Sequence, residues 1–218
     1  MKKRSSKFMI LFLAAVLALS AFAYRRYTDP YANYKELMRR LCADDLGDIN
    51  RDWLCEYLFH YQIQPDGNGL AMLLHPDGLD ASGRTPVVML ETRNGGKSWD
   101  VLHECYNLTR GDSAFAYMGE TAVILANHSK AYGGSAVFSY DRGRTWTDSV
   151  GFDELMDYNV EEWPDLEPHV LNYNADTGII TLGWKDCWEN GDYLLINQLD
   201  AYSRQIIEEI YRSPEFTT

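Results

Sequence analysis

Positive charge is scarce in this sequence. Twenty Lys and Arg stand against 32 Asp and Glu, giving a net charge of −12 with neutral His. Four of the cations (Lys2, Lys3, Arg4 and Lys7) fall in the first seven residues, so without residues 1–23, which hold no acid, the net charge becomes −16. A phosphate-binding surface must supply Lys and Arg to displace counterions, so nucleic acid is excluded as a partner class. The same acidity admits a basic protein partner, and it also keeps an exported protein soluble. Cysteine is scarce as well. Cys42, Cys55, Cys105 and Cys187 are spaced too widely for a zinc site. His60, His75, His103, His128 and His169 show no metal-ligand spacing either, and no cofactor is implied. Finally, no apolar run reaches the roughly 20 residues that a membrane span needs. The candidate, Phe8 to Leu19, stops short of that.

That run reads instead as an export signal. A basic n-region precedes it, and Ala21-Phe22-Ala23 places small residues at −3 and −1 of a cleavage site. No Cys follows at the cleavage point, so a lipoprotein is not expected; retention as an uncleaved anchor is the alternative. Residues 1–23 are thus expected to be a signal peptide, with a periplasmic or extracellular product and no stable membrane insertion after cleavage. The remaining 195 of 218 residues suit one domain with a real core. In an oxidising compartment four cysteines suggest two disulfides, with three pairings open. Cys42 with Cys55 would close a short loop, leaving Cys105 with Cys187.

Residues 24–50 form an expected N-terminal helix and linker. Thr28 or Asp29 caps the helix, Pro30 fits its first turn, and Tyr31, Tyr34, Leu37, Met38 and Leu41 recur at helical spacing. Arg39 and Arg40 suit its negative C-terminal end, and Gly47 stops it. From 51 to 218 short apolar runs alternate with turn residues, which predicts one all-β domain. The expected strands are Leu54–Gln62, Leu70–Leu74, Val87–Thr92, Trp99–Tyr106, Ala114–Met118 and Ala122–Ala126. The series continues with Ala136–Tyr140, Thr145–Ser149, Val170–Tyr173, Ile179–Trp184, Tyr193–Gln198 and Gln205–Tyr211. An acidic insertion at 151–169 interrupts it. Asp153, Glu154, Asp157, Glu161, Glu162, Asp165 and Glu167 stand there without Lys or Arg, beside Phe152, Leu155, Met156, Tyr158, Val160 and Trp163. A packed helix covering a sheet end and an acidic partner surface are the two readings.

Two turns share one pattern. "SYDRGRTW" places Ser139, Asp141, Gly143, Thr145 and Trp146 at the offsets at which "TRNGGKSW" places Thr92, Asn94, Gly96, Ser98 and Trp99. Asp or Asn accepts backbone N–H groups of the turn, Gly admits positive φ, the hydroxyls tie the strand ends, and Trp anchors the hairpin. The pattern resembles the Asp-box, or bacterial neuraminidase repeat, of sialidase-like β-propellers. The resemblance implies that each box joins the third and fourth strands of a four-stranded blade. The 47 residues between Thr92 and Ser139 match one blade. Two blades are expected over residues 66–150 and a third over 168–212, whose "QLDAYSRQ" retains Asp200 but lacks Gly and Trp. The expected fold is a small or incomplete propeller; a β-sandwich or open meander borrowing such hairpins is the alternative.

Sialidases need an arginine cluster, a Tyr–Glu nucleophile pair and an acidic acid/base, with their boxes on the rim. Here Arg93, Arg142 and Arg144 lie within the box turns, and Arg84 and Arg110 complete no such pattern. No carboxylate pair is singled out for glycoside hydrolysis. Asp48, Asn50 and Asp52 begin like a calcium loop, but Trp53 and Phe59 stand where Gly and Glu belong. Asn107 and Asn127 open glycosylation sequons that are incidental in a bacterial protein. In "GWKDCWENGDY", Trp184, Trp188 and Tyr193 surround Cys187, which suits core packing or glycan stacking. The expected role is that of an exported, non-catalytic protein-binding module, such as a periplasmic inhibitor or immunity protein. Its candidate partner surface is Asp153, Glu154, Asp157, Glu161, Glu162, Trp163 and Asp165. Carbohydrate recognition with a glycosidase variant, and envelope assembly, are the alternatives.

Overall fold

The computed structural model describes residues 29–47, 58–74, 87–105, 113–127, 134–156, 166–186 and 192–214, together with the isolated residues 12, 16, 17 and 20. Among these residues, twelve strands form three four-stranded antiparallel sheets in simple sequence order. The first holds β1 (Leu58–Ile63), β2 (Gly69–Leu74), β3 (Val87–Thr92) and β4 (Asp100–Cys105). The second holds β5 (Ser113–Met118), β6 (Thr121–Asn127), β7 (Gly134–Ser139) and β8 (Val150–Gly151). The third holds β9 (Leu166–Asn174), β10 (Ile179–Asp186), β11 (Leu195–Asp200) and β12 (Gln205–Arg212). Helix α1 (Ala32–Cys42) precedes the first sheet, and the short α2 (Phe152–Met156) links the second to the third.

The layers explain why several strands read as unbroken apolar runs. A strand buried on both faces has no polar alternation to keep. In β2, Leu70 and Met72 face the second sheet, where Phe115, Tyr117 and Ile124 complete one core. Ala71 and Leu73 face the other way, under Tyr34, Leu37 and Met38 of α1. The second sheet repeats this, burying Ala116, Val123, Leu125 and Phe138 against Ile180, Leu182, Trp184 and Leu199 of the third. The order of layers is therefore α1, first sheet, second sheet, third sheet.

Four expectations need correction. Asp29 does not cap α1. Its carboxylate accepts the Tyr31 N–H at 2.9 Å and the Lys35 ammonium at 2.8 Å, while the N-cap position belongs to Tyr31. The helix also ends before Gly47, because Asp44 takes φ 54° and the Asp45 N–H returns to the Arg40 carbonyl. The eighth strand is not 145–149 but two residues at 150–151. Thr145 and Trp146 are consumed by the turn, and Thr147 bonds back to Phe138: its N–H donates to the Phe138 carbonyl at 2.9 Å and its Oγ1 accepts the Phe138 N–H at 3.2 Å. The insertion is shorter than 151–169, since Leu166–His169 belong to β9. What β8 lacks in length α2 supplies. Phe152 and Leu155 enter the core between the second and third sheets, and the Phe152 ring meets Trp184 edge-on at 4.9 Å.

Candidate functional site

The two box hairpins share their Asp or Asn and hydroxyl bonds but not their indole bond: Trp99 Nε1 is buried without a hydrogen-bond partner, whereas the Trp146 indole has one. Asp141 accepts the N–H groups of Arg144 (3.0 Å) and Thr145 (2.8 Å) and the hydroxyls of Ser139 (2.9 Å) and Thr145 (2.7 Å). Ser139 Oγ accepts the Gly143 N–H at 2.8 Å, and the Trp146 indole donates to the Gly143 carbonyl at 3.0 Å. In the other turn, Asn94 accepts the Ser98 N–H at 3.0 Å and the Thr92 hydroxyl at 3.1 Å, while Thr92 Oγ1 accepts the Gly96 N–H at 3.0 Å. The third sheet keeps the Asp200 part of this device, which accepts the Tyr202 N–H at 2.8 Å. One further bond recurs in all three sheets. The turn after the third strand donates an N–H to the turn after the first: Gly95 to Gly67 O, Arg142 to Glu120 O and Ala201 to Gly178 O. The arginines of the boxes serve the same scaffold. Glu91 holds Arg93 at 2.7 Å and Arg144 of the next sheet at 2.8 Å, and Arg142 lies 3.5 Å from Glu120. Arg84 and Arg110 lie outside the described residues.

Where the first strands of the three sheets meet, glutamines replace strand pairing. Gln62 accepts the Tyr117 N–H at 2.6 Å and reaches the Phe115 carbonyl at 3.4 Å, so its amide mimics a neighbouring backbone along β5. Gln64 donates to the Tyr117 carbonyl and to the Tyr173 hydroxyl, tying β1, β5 and β9 together. Beside this suture lies a cleft of about 390 Å³, within the range of small-ligand sites. His60, Gln62, Phe115, His169, Tyr173 and Tyr193 supply much of its wall. His60 stacks on Phe115, and His169 meets the edge of Tyr193 at 5.8 Å. His169 Nε2 is buried without a hydrogen-bond partner. Glu167 Oε1 stands 3.4 Å away, close enough for an ion pair once the ring is protonated but off hydrogen-bond geometry. The described walls offer stacking and hydrogen bonding, and no carboxylate lines them.

The outer face of the third sheet differs from every other sheet face. Of the seven exposed large apolar side chains among the described residues from 29 onward, four lie on strands of this sheet: Leu171, Ile207, Ile210 and Tyr211; a fifth, Tyr202, stands in the turn after β11 and stacks on Tyr140 of the second sheet. Register places Ile179, Gly183, Ile196 and Tyr211 on the side opposite the core residues Ile180, Leu182 and Trp184. Tyr193 lies directly on Gly183, where a Cβ would stand 2.6 Å from its ring, and Lys185 covers that ring at 4.7 Å. Glu167, Asp200 and Glu208 fall on the same face by pairing.

The expected site residues divide accordingly. Asp153 and Glu154 are exposed on α2, which packs against β12, so they border the third sheet. Asp157, Glu161, Glu162, Trp163 and Asp165 lie outside the described residues, as do Asp48, Asn50, Asp52, Cys55, Asn107, Cys187 and Trp188. Trp184 is a core residue, fully buried with its indole bonded to Asn197 at 3.0 Å, whereas Tyr193 of the same stretch reaches the cleft. Contrary to the disulfide expectation, Cys42 is a free thiol. The Gly96 turn packs directly on its Cβ and Sγ. Burial pushes its pKa up, and the adjacent Trp99 indole N–H works in the opposite direction. Cys105 ends β4. Neither the cleft nor the outer face was expected. The available signals were two glutamines two residues apart, one near the end of β1 and one just beyond it, and a last strand, "QIIEEIYR", with isoleucines that no period-2 core face requires.

No family model matches the chain, and no curated protein matches it. Among solved structures, it is similar to a point variant of the NanB sialidase from Streptococcus pneumoniae, at 9% identity and a TM-score of 0.41. The match covers 66% of this chain and 21% of that one.

Proposed function

We propose that the chain is an exported, non-catalytic protein-binding module, built as three propeller-like blades whose Asp-box hairpins hold the scaffold together. One observation carries this reading: the stack is covered by α1 at one end and bears a half-exposed apolar sheet face at the other. An exposed apolar patch with a polar border is the usual mark of a protein contact. The acidic α2 residues Asp153 and Glu154 adjoin it through the packing of α2 against β12. Inhibition or immunity against a toxic enzyme suits an acidic, rigid, exported scaffold, and an envelope-assembly role would use the same face.

The test is a tagged chain expressed in its native envelope. Fractionation should place it outside the cytoplasm, and a partner should co-purify with the wild type but not with Tyr211→Lys. Cytoplasmic retention, or identical recovery with the variant, would sink the proposal.

The cleft supports a second reading, carbohydrate recognition, because Tyr193, His60, Gln62 and Asn172 combine rings with amides around about 390 Å³. Reproducible binding on a glycan array that disappears with Tyr193→Ala would establish it.

A further inference from the structure

We infer that the outer face of the third sheet docks a protein surface that is apolar at its centre and basic around it, and that it does so through side chains, not by adding a strand to β12. This rests on the protein-binding reading above and specifies its surface, chemistry and mode.

The mode follows from the register of the last strand. β12 is an edge strand of its sheet, eight residues long. Its pairing with β11 slips twice. Tyr211 pairs with Ile196 and Glu209 with Asn197, skipping Ile210; Glu208 pairs with Gln198 and Ile206 with Leu199, skipping Ile207. A bulge bends its strand and interrupts the regular row of backbone donors and acceptors that an added strand would need. Edge bulges thus close this strand to strand addition. They also put an isoleucine at each slip, and both side chains are 51% exposed. Solubility alone would favour Lys or Glu at such positions. An edge closed to backbone pairing but carrying Ile207, Ile210 and Tyr211 is suited to contact by side chains.

The partner's chemistry follows from charge. By register the outer face carries Glu167, Asp200 and Glu208 against Lys185, while Glu209 and Arg212 fall on the core side and pair with each other at 2.7 Å. Asp153 and Glu154 extend this acidity along β12. Complementary potentials steer encounter and select partners, so the matching surface is basic around an apolar centre. A second copy of this chain brings net −12 against −12, and an anionic lipid surface repels it likewise.

Site-specific photocrosslinking in the native envelope tests this with the full chain. A photoreactive residue replaces Ile207, Ile210 or Tyr211 in turn, with Tyr61 on β1 and the exposed Asp153 and Glu154 as comparison positions. The expected result is capture of one other protein from the β12 positions and none from Tyr61. When that protein is purified and titrated, Ile207→Ser with Ile210→Ser should weaken binding by about tenfold or more. Glu208→Lys should slow association at low salt, and added salt should slow the wild type towards it. Both isoleucines are half exposed, so circular dichroism and the unfolding midpoint should be unchanged, separating lost contact from lost fold. Crosslinks to a second copy or to lipid overturn the inference, as does a captured protein whose binding ignores salt and both substitutions. Crosslinks from Asp153 and Glu154 alone overturn this surface while leaving the protein-binding reading standing. No protein crosslink from any position overturns both.

Discussion

Two consecutive residues of positive φ recur at one place in the box hairpins: Gly95 and Gly96 in the first, Arg142 and Gly143 in the second. The backbone geometry is shared, but what presses on it differs. A Cβ on Gly95 would meet nothing within 4 Å, whereas one on Gly96 would stand 2.5 Å from Cys42 Cβ and Sγ. Gly95→Ala should therefore cost only the left-handed penalty, about 1 kcal/mol, a strain the second hairpin already tolerates at Arg142. Gly96→Ala adds a clash with α1 and should cost about 3 kcal/mol or more in urea unfolding, because overpacking is felt on top of strain. Equal effects would show that α1 does not press on the turn. The box acids differ in titration as well. Burial, the largest influence on Asp141, favours its neutral form, but hydrogen bonds from Thr145, Ser139 and Arg144 together outweigh it and hold its pKa below the ordinary 3.8. A depressed carboxylate stabilises the fold fully above its unfolded pKa, and that contribution is lost as pH falls through the folded value. Acid should thus loosen the second hairpin and not the first, where Asn94 carries no proton equilibrium. Between pH 5 and about 2, Asp141→Asn should flatten the loss of stability relative to wild type, and an unchanged slope would place the acid sensitivity elsewhere.

Elements in this fold are joined by side chains where backbones do not meet, and Gln62 is the clearest case. It bridges β1 to β5 across 55 residues of sequence by accepting the Tyr117 N–H. Gln62→Leu keeps the volume and removes the acceptor, stranding a buried donor at a cost of about 1–3 kcal/mol. Amide exchange at Tyr117 should speed up in step with the fall in unfolding free energy; protection that persists would mean another acceptor takes over. Such joints also mark where sequence reading stops. Strand existence was legible almost throughout, because runs such as "GLAMLL" and "TAVILAN" can be satisfied only by burial on both faces. The box pattern located both hairpins from Asp141 and Asn94. The eighth strand was misplaced because the residues of "RTWT" (144–147) favour strand locally, yet Thr145 and Trp146 spend their hydrogen bonds on the turn. The cleft was invisible because it belongs to three strands that no sequence pattern brings together. His60 and His169, 109 residues apart, become neighbours only through the stacking of whole sheets.

At the scale of the whole molecule, charge and burial pull in different directions. Three sheets and a helix share continuous cores that hold the layers together, while an excess of carboxylates over cations pushes the surface apart. Net −12 over 218 residues, or −16 without Lys2, Lys3, Arg4 and Lys7, destabilises a compact state through self-repulsion. Salt screens that repulsion over a Debye length of about 10 Å at 0.1 M. It also weakens attractive pairs, but the best-placed of these, Glu91 with Arg144 at 2.8 Å, has a carboxylate side chain only 16% exposed and so is screened less than the open surface. The two effects have opposite signs, and the net excess of acids, 32 against 20 cations, decides between them. The chain without residues 1–23 should therefore melt about 2–4 °C higher in 0.15 M sodium chloride than in dilute buffer at pH 7, a gain equivalent to about 1 kcal/mol for a domain of this size. The rise should shrink as pH falls towards 4 and the carboxylates begin to protonate. A melting temperature that drops on adding salt at pH 7 would mean that attractive pairs, and not net repulsion, dominate the surface; the acidic face of the third sheet would then be neutralised within the chain and unable to steer a basic partner.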